Sequence, residues 1–206
     1  MPGLKISRRA DPALVDAFKT LVGRLIKSAG LSAKDPALMY LAGGMAVHFY
    51  TGWRSTDDVD AVFTKKLLRP DDPVAIFRAA EDNARSIQFD PTYNEKYALM
   101  HEDAHQDALP LAIDGLDGIR IFVLNPVDLA VSKLARFGEI DRKDIVNLAR
   151  AGLVTEAALR KRAEAALAGY VGNPVPVRNS LDMVCRDIRV LKRGVKPRRQ
   201  GARAKR

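Results

Sequence analysis

The chain has 206 residues, 47% hydrophobic and 29% charged, with a net charge of +9 and a single cysteine. This is enough for one substantial core, and no apolar run approaches the roughly 18 residues of a membrane span. One cysteine, Cys185, excludes an internal disulfide and fits a reducing, cytoplasmic setting, where it reads as a packing residue.

The opening MPGLKISRRADPALVDAF carries basic residues with no apolar stretch after them, which argues against a secretory leader. Asp11-Pro12 starts a helix, with Asp11 as N-cap, Leu14, Phe18, Leu21, Val22 and Ile26 on one face, and Gly30 as the stop. ALMYLAGG (37–44) reads as a buried strand and MAVHFYTG (45–52) as a short helix. DVDAVF (58–63) reads as a second strand, and DDPVAIFRAAEDNARSI (71–87) as a helix capped by aspartate and proline. Residues 88–117 give mixed signals. GIRIFVL (118–124) is a strand, followed by helices over 125–139, 141–152, 155–170 and 177–194. Residues 192–206 hold eight Lys or Arg and no acid, so the rest of the chain is nearly neutral. They read as a solvated, disordered basic tail that has the charge to meet RNA, DNA or an acidic partner.

Alternating strands and helices early, and helices late, predict an α+β fold: a small mixed sheet flanked by helices, with a helical C-terminal part. The expected divisions are 1–150 for the sheet-containing domain, 151–191 for a helical extension packed on it, and 192–206 for the tail.

LAGGMAVHFYTGWRSTDDVDAVF (41–63) carries the chemistry. Gly43 and Gly44 lack side chains, so a bulky ligand can approach the backbone. The helix that follows presents free N–H groups and a partial positive charge, which suit a phosphate. Asp58 and Asp60 are two apart on a strand and share a face. Paired carboxylates beside a phosphate cradle fit Mg²⁺ (or Mn²⁺) with a nucleoside triphosphate.

This stretch resembles the signature of the DNA polymerase β-type nucleotidyltransferase superfamily: apolar-Gly-Gly, a spacer, then Asp-apolar-Asp-apolar. Thirteen residues separate Gly44 from Asp58. The likeness is to small prokaryotic nucleotidyltransferase-like proteins, including AbiEii-type toxins. It extends to NPVDLAVSKLARFGEIDRKDI (125–145), where Lys133, Arg136, Asp141 and Asp144 match a lysine-bearing helix and an Arg/Lys–Asp cluster. In all it covers about residues 37–150. The resemblance implies Mg²⁺ held by Asp58 and Asp60, and transfer of a nucleoside monophosphate to a hydroxyl of RNA, such as a tRNA end, or of a protein. It further implies a toxin-like role with a separate antitoxin partner. The alternative is the same fold kept as a catalytically inactive binding or regulatory protein.

Around that centre, Arg54, Ser55 and Thr56 are candidates to contact phosphates, with Arg54 equally readable as a surface arginine. Lys133 either snorkels from the core or neutralises phosphate; the resemblance favours phosphate, with Arg136 beside it. Asp141 and Asp144 either cap a helix or hold Arg136 and Lys133. Tyr50 and Trp53 offer rings for a base or for the core.

The superfamily also uses a third carboxylate. The candidates are Glu102, Asp103, Asp107 and Asp114, with Asp103 preferred because YALMHED (97–103) reads as a strand edge reaching the site. The same region holds His101-Glu102-x-x-His105, the short zinc-protease pattern. The context argues against zinc. Asp103 sits between the histidines, no histidine follows His105, nothing singles out Glu139 as third ligand, and the flanks make no long amphipathic helix.

Overall fold

The computed structural model describes residues 3–67, 70–79 and 83–194. The predicted basic tail therefore falls outside the described residues from 195 on, and residues 192–194 form the end of the last helix.

Helix α1 (Pro12–Ser28) starts as its sequence demands. The Asp11 side chain accepts the Ala13 N–H at 2.9 Å and Pro12 occupies the first turn. Its buried stripe is Leu14, Ala17, Phe18, Leu21, Val22 and Leu25. Strand β1 (Ala37–Leu41) leads into α2 (Gly43–Thr51), so the glycine pair opens the helix and does not close the strand. Then come β2 (Asp58–Val59), β3 (Ala61–Phe63), β4 (Val74–Arg78) and β5 (Ala84–Phe89). A 3₁₀ turn (Glu95–Tyr97), β6 (Leu109–Leu111) and β7 (Ile119–Val123) follow. The chain ends in α3 (Pro126–Ser132), α4 (Glu139–Arg150), α5 (Glu156–Leu167) and α6 (Pro174–Gly194). No described helix is long and apolar enough to cross a membrane.

The fold is α+β, with two small mixed sheets where one was expected. One has the order β3-β1-β7-β6, with β1 and β7 parallel and the outer pairs antiparallel. The other has the order β2-β5-β4. The stretch 58–63 is not one strand: Asp58 and Val59 pair with β5, whereas Ala61–Phe63 pair with β1. The chain crosses between sheets at Asp60, whose carbonyl accepts the Ala42 N–H at 2.9 Å.

The helix expected over 71–87 is instead the antiparallel pair β4 and β5. The Asp-Pro start and the alanines favour a helix locally. Pairing with β2 overrides them, and the two-residue period is visible afterwards: Ala75 and Phe77 are buried, and Ile76 between them is 78% exposed. The strand edge expected over 97–103 is likewise absent, replaced by the 3₁₀ turn and tight turns. The helix expected over 125–139 stops at Ser132, where Lys133 and Leu134 donate to carbonyls three residues back.

One contiguous core runs from Leu14 to Ile188 and includes Cys185. His48 is buried within it. Its Nε2 accepts the Asp11 N–H at 2.9 Å and its Nδ1 donates to the Arg54 carbonyl at 2.8 Å. Only the neutral ring can do both. Burial lowers its pKa from 6.5, against the backbone hydrogen bond to Arg54 and the Asp11 charge, which raise it. The stabilisation from His48 is therefore complete above about pH 6.5 and is lost as pH falls below that, because the unfolded chain then binds the proton more readily. Thermal unfolding from pH 8 to pH 5 should show this loss, and His48→Gln should flatten the dependence.

Candidate active site

Two elements meet at Asp60. The N-terminus of α2 lies on one side: Ala42 gives it no side-chain cap, so the first-turn N–H groups lack an intrahelical partner. Gly43 has φ +60°, and a Cβ there would overlap the Asp60 carboxylate at Oδ2. Glycine is required for both reasons. On the other side, the end of β5 lies against β2, with the Asp90 N–H donating to the Val59 carbonyl at 3.1 Å. Asp60 and Asp90 thereby share a cleft of about 240 Å³ with Gly43, Tyr93, Lys133 and Arg136.

The electrostatics of this cleft are unbalanced by design of the fold. Burial raises the Asp60 pKa, Lys133 and Arg136 oppose that, and the Asp90 and Asp58 charges add to it. Tyr93, facing the same carboxylate, is pushed up by burial and by Asp60. Asp58, Asp60 and Asp90 are hard oxygen donors. Among the described residues no three acidic, histidine or cysteine side chains converge tightly enough to enclose a metal unaided. This open donor set suits a small hard cation that draws the rest of its shell from phosphate and water.

The basic side of the cleft is a chain of ion pairs in which Asp144, Asp141 and Lys133 are buried and Arg136 reaches solvent. Asp144, with no exposed surface, takes Arg54 through two hydrogen bonds of 3.0 Å and Lys133 Nζ at 2.9 Å. Lys133, 4% exposed, also reaches Asp141 at 3.4 Å. Asp141 accepts two hydrogen bonds from Arg136, at 3.0 and 2.9 Å, and one from the Gly138 N–H at 3.0 Å. Burial works against the Asp141 charge, but Arg136, Lys133 and Gly138 hold its pKa below the usual value. Three cations against two carboxylates leave one positive charge to face the cleft.

The expected site residues thus divide. Gly43, Asp60, Lys133 and Arg136 line the cleft. Asp58 is exposed and close enough to act on Asp60 electrostatically. Arg54 is not a free surface arginine: it braces Asp144 and approaches Gly44, where a Cβ would meet its Nη2 at 2.9 Å. Ser55 and Thr56 do not line the cleft; Thr56 is 8% exposed and its hydroxyl donates to the Asp58 carbonyl. Asp103 is also elsewhere, its backbone N–H and carboxylate both turned to His101. Asp107 is tied to Arg162, which also holds buried Asp128. Asp114 is exposed in the β6–β7 loop. Tyr50 packs in the core and donates to the Leu124 carbonyl.

The zinc reading of His101 and His105 fails on geometry. Their segment is a run of turns, and His105 is engaged by Glu95 at 2.9 Å and stacked on Tyr40. Sequence reading missed Asp90, Tyr93 and His48. Asp90 had a signal, an aspartate closing an alternating segment, hidden by the helical reading of 71–87.

Replacing Lys133 with Met would remove the cation that Asp144 and Asp141 share while each keeps its arginine, and a loss of about 1–3 kcal/mol is expected in urea denaturation. Gly43→Ala should cost about 1–3 kcal/mol by the same measurement, from the left-handed φ and the displaced Asp60. Asp60→Asn should be at least as stable as the wild type at neutral pH, because a carboxyl whose pKa is raised by folding opposes folding once ionised.

No curated protein matches the chain closely enough for comparison. A family model matches residues 24–175, well over half of the chain and spanning every residue of the cleft. Its description is a nucleotidyltransferase of unknown function, DUF6036, and the chain belongs to that family.

Proposed function

We propose that the protein is a Mg²⁺-dependent nucleotidyltransferase that moves a nucleoside monophosphate from a nucleoside triphosphate to a hydroxyl of RNA or protein. The observation that carries this reading is the uncapped N-terminus of α2 opening beside Asp60, Asp90, Lys133 and Arg136. The α2 N–H groups bind the triphosphate, with Gly43 keeping the approach open. Lys133 and Arg136 neutralise its charge and orient it. Asp58 and Asp60 would hold Mg²⁺ (or Mn²⁺), which when bound offsets charge on the reacting phosphate. Asp90 takes the place expected of Asp103 and accepts the proton of the attacking hydroxyl. That oxygen bonds to the α-phosphorus, the bond to the bridging oxygen breaks, and pyrophosphate leaves.

The second reading is a catalytically inactive binding protein of the same fold. It draws on the lack, among the described residues, of three acids close enough to enclose a metal. A toxin role with an antitoxin partner rests on the resemblance to AbiEii-type proteins; growth arrest on expression, relieved by Asp58→Ala/Asp60→Ala, is its test.

The decisive assay is transfer of α-³²P label from each nucleoside triphosphate to total RNA and total protein. Transfer is expected to vanish in Asp58→Ala/Asp60→Ala, to fall by about 100-fold or more in Asp90→Asn, and to stay near wild type in Asp103→Asn. Failure to bind triphosphate with Mg²⁺ would favour the binding-protein reading.

A further inference from the structure

The cleft at Asp60 has a larger neighbour of about 490 Å³, and Tyr97 and Ala98 line both. We propose that this second cleft is the acceptor subsite and receives a nucleobase of the acceptor; the inference rests on the nucleotidyltransferase reading.

The cleft is built from rings and hydrogen-bonding groups. The Tyr97 ring, 81% exposed, stands on the ridge between the two clefts. Its 3₁₀ turn is pinned by the Asn94 side chain, which accepts the Lys96 N–H at 3.0 Å. His105 stacks on Tyr40 at 4.1 Å, Tyr40 stacks on Phe122 at 5.5 Å, and Glu95 holds the imidazole at 2.9 Å. His101 Nδ1 accepts the Asp103 N–H, so the neutral ring carries its proton on Nε2. The opposite wall comes from the end of α5 and Tyr170. The end of α5 and the connection that follows it therefore complete this cleft. The segment carrying the histidines is clamped to α3 and α5 by the Asp107–Arg162–Asp128 ion pairs, at 2.6–2.7 Å.

Charge selects the ligand class. Glu95 and Glu102 face one cation, Lys96, so the cleft disfavours phosphate, in contrast to the Lys133–Arg136 cleft beside it. Carboxylate acceptors and an imidazole donor match the edge of a base, and an exposed tyrosine gives it a face to stack on. A base seated here brings its own ribose hydroxyls to the Tyr97–Ala98 ridge, next to the carboxylates of the first cleft. The donor triphosphate stays on the cationic side.

The protein has three histidines, and buried His48 is a built-in reference for ring C–H resonances in ¹H–¹³C NMR spectra. Adenosine, guanosine, cytidine and uridine are titrated separately, alongside inorganic phosphate and spermidine. At least one nucleoside should shift His101 and His105 saturably and leave His48 unmoved. Tyr97→Ala should weaken that binding by about tenfold and Tyr97→Phe should preserve it. A non-hydrolysable triphosphate with Mg²⁺ should bind without displacing the nucleoside. The proposal is overturned if phosphate or spermidine shifts the two histidines and nucleosides do not, if no ligand shifts them, or if the triphosphate competes, which would make this the donor's base site. Triphosphate binding is followed separately through its loss in Arg136→Ala. Absence of that binding marks failure of the transferase reading; triphosphate binding without nucleoside binding marks failure of this inference.

Discussion

Asp144 has no contact with solvent, and the arrangement of the candidate site depends on how its charge is met. A buried carboxylate is costly unless it is paired and hydrogen-bonded. Here Arg54 supplies a bidentate partner and Lys133 a second. Those two cations come from opposite parts of the chain: Arg54 follows α2, and Lys133 ends α3. The pairing therefore fixes α2 against α3 and α4. In doing so it sets the distance between the N-terminus of α2 and the cationic wall of the cleft.

The same constraint explains why α3 is short. A helix running on through 133–141 would carry Lys133, Arg136 and Asp141 around its surface at helical spacing. Ending at Ser132 lets Lys133 turn inward, and Phe137 adopts φ +41° as the chain re-enters α4. That left-handed conformation is unfavourable for phenylalanine. It sits beside the Arg136–Asp141 pair, which holds the turn closed.

Two adjacent clefts of opposite character follow. One is bounded by a helix N-terminus, Lys133 and Arg136; the other by glutamates, histidines and tyrosines. The proposed transfer would use this division, because donor and acceptor must be held close without competing for the same groups. The ridge at Tyr97 and Ala98 belongs to the least regular part of the chain, and regular structure is not what positions it. The Asn94 cap and the Arg162 ion pairs do that.

The sequence by itself determined the local elements whose signals are short-range: the Asp11-Pro12 start of α1, the apolar runs of β1 and β7, and the starts of the helices near 125 and 155. It also marked four residues that line the cleft, Gly43 and Asp60 by their types and order, Lys133 and Arg136 by the resemblance over 125–145. Only the tertiary structure decided the rest. Whether 74–89 is helix or hairpin depends on β2 being available to pair, and that in turn brought Asp90, not Asp103, to Asp60. Arg54 and Asp144 lie 90 residues apart, and no local pattern links them. Their pairing is the fold's answer to a buried charge, a cost that exists only once the core has closed around it.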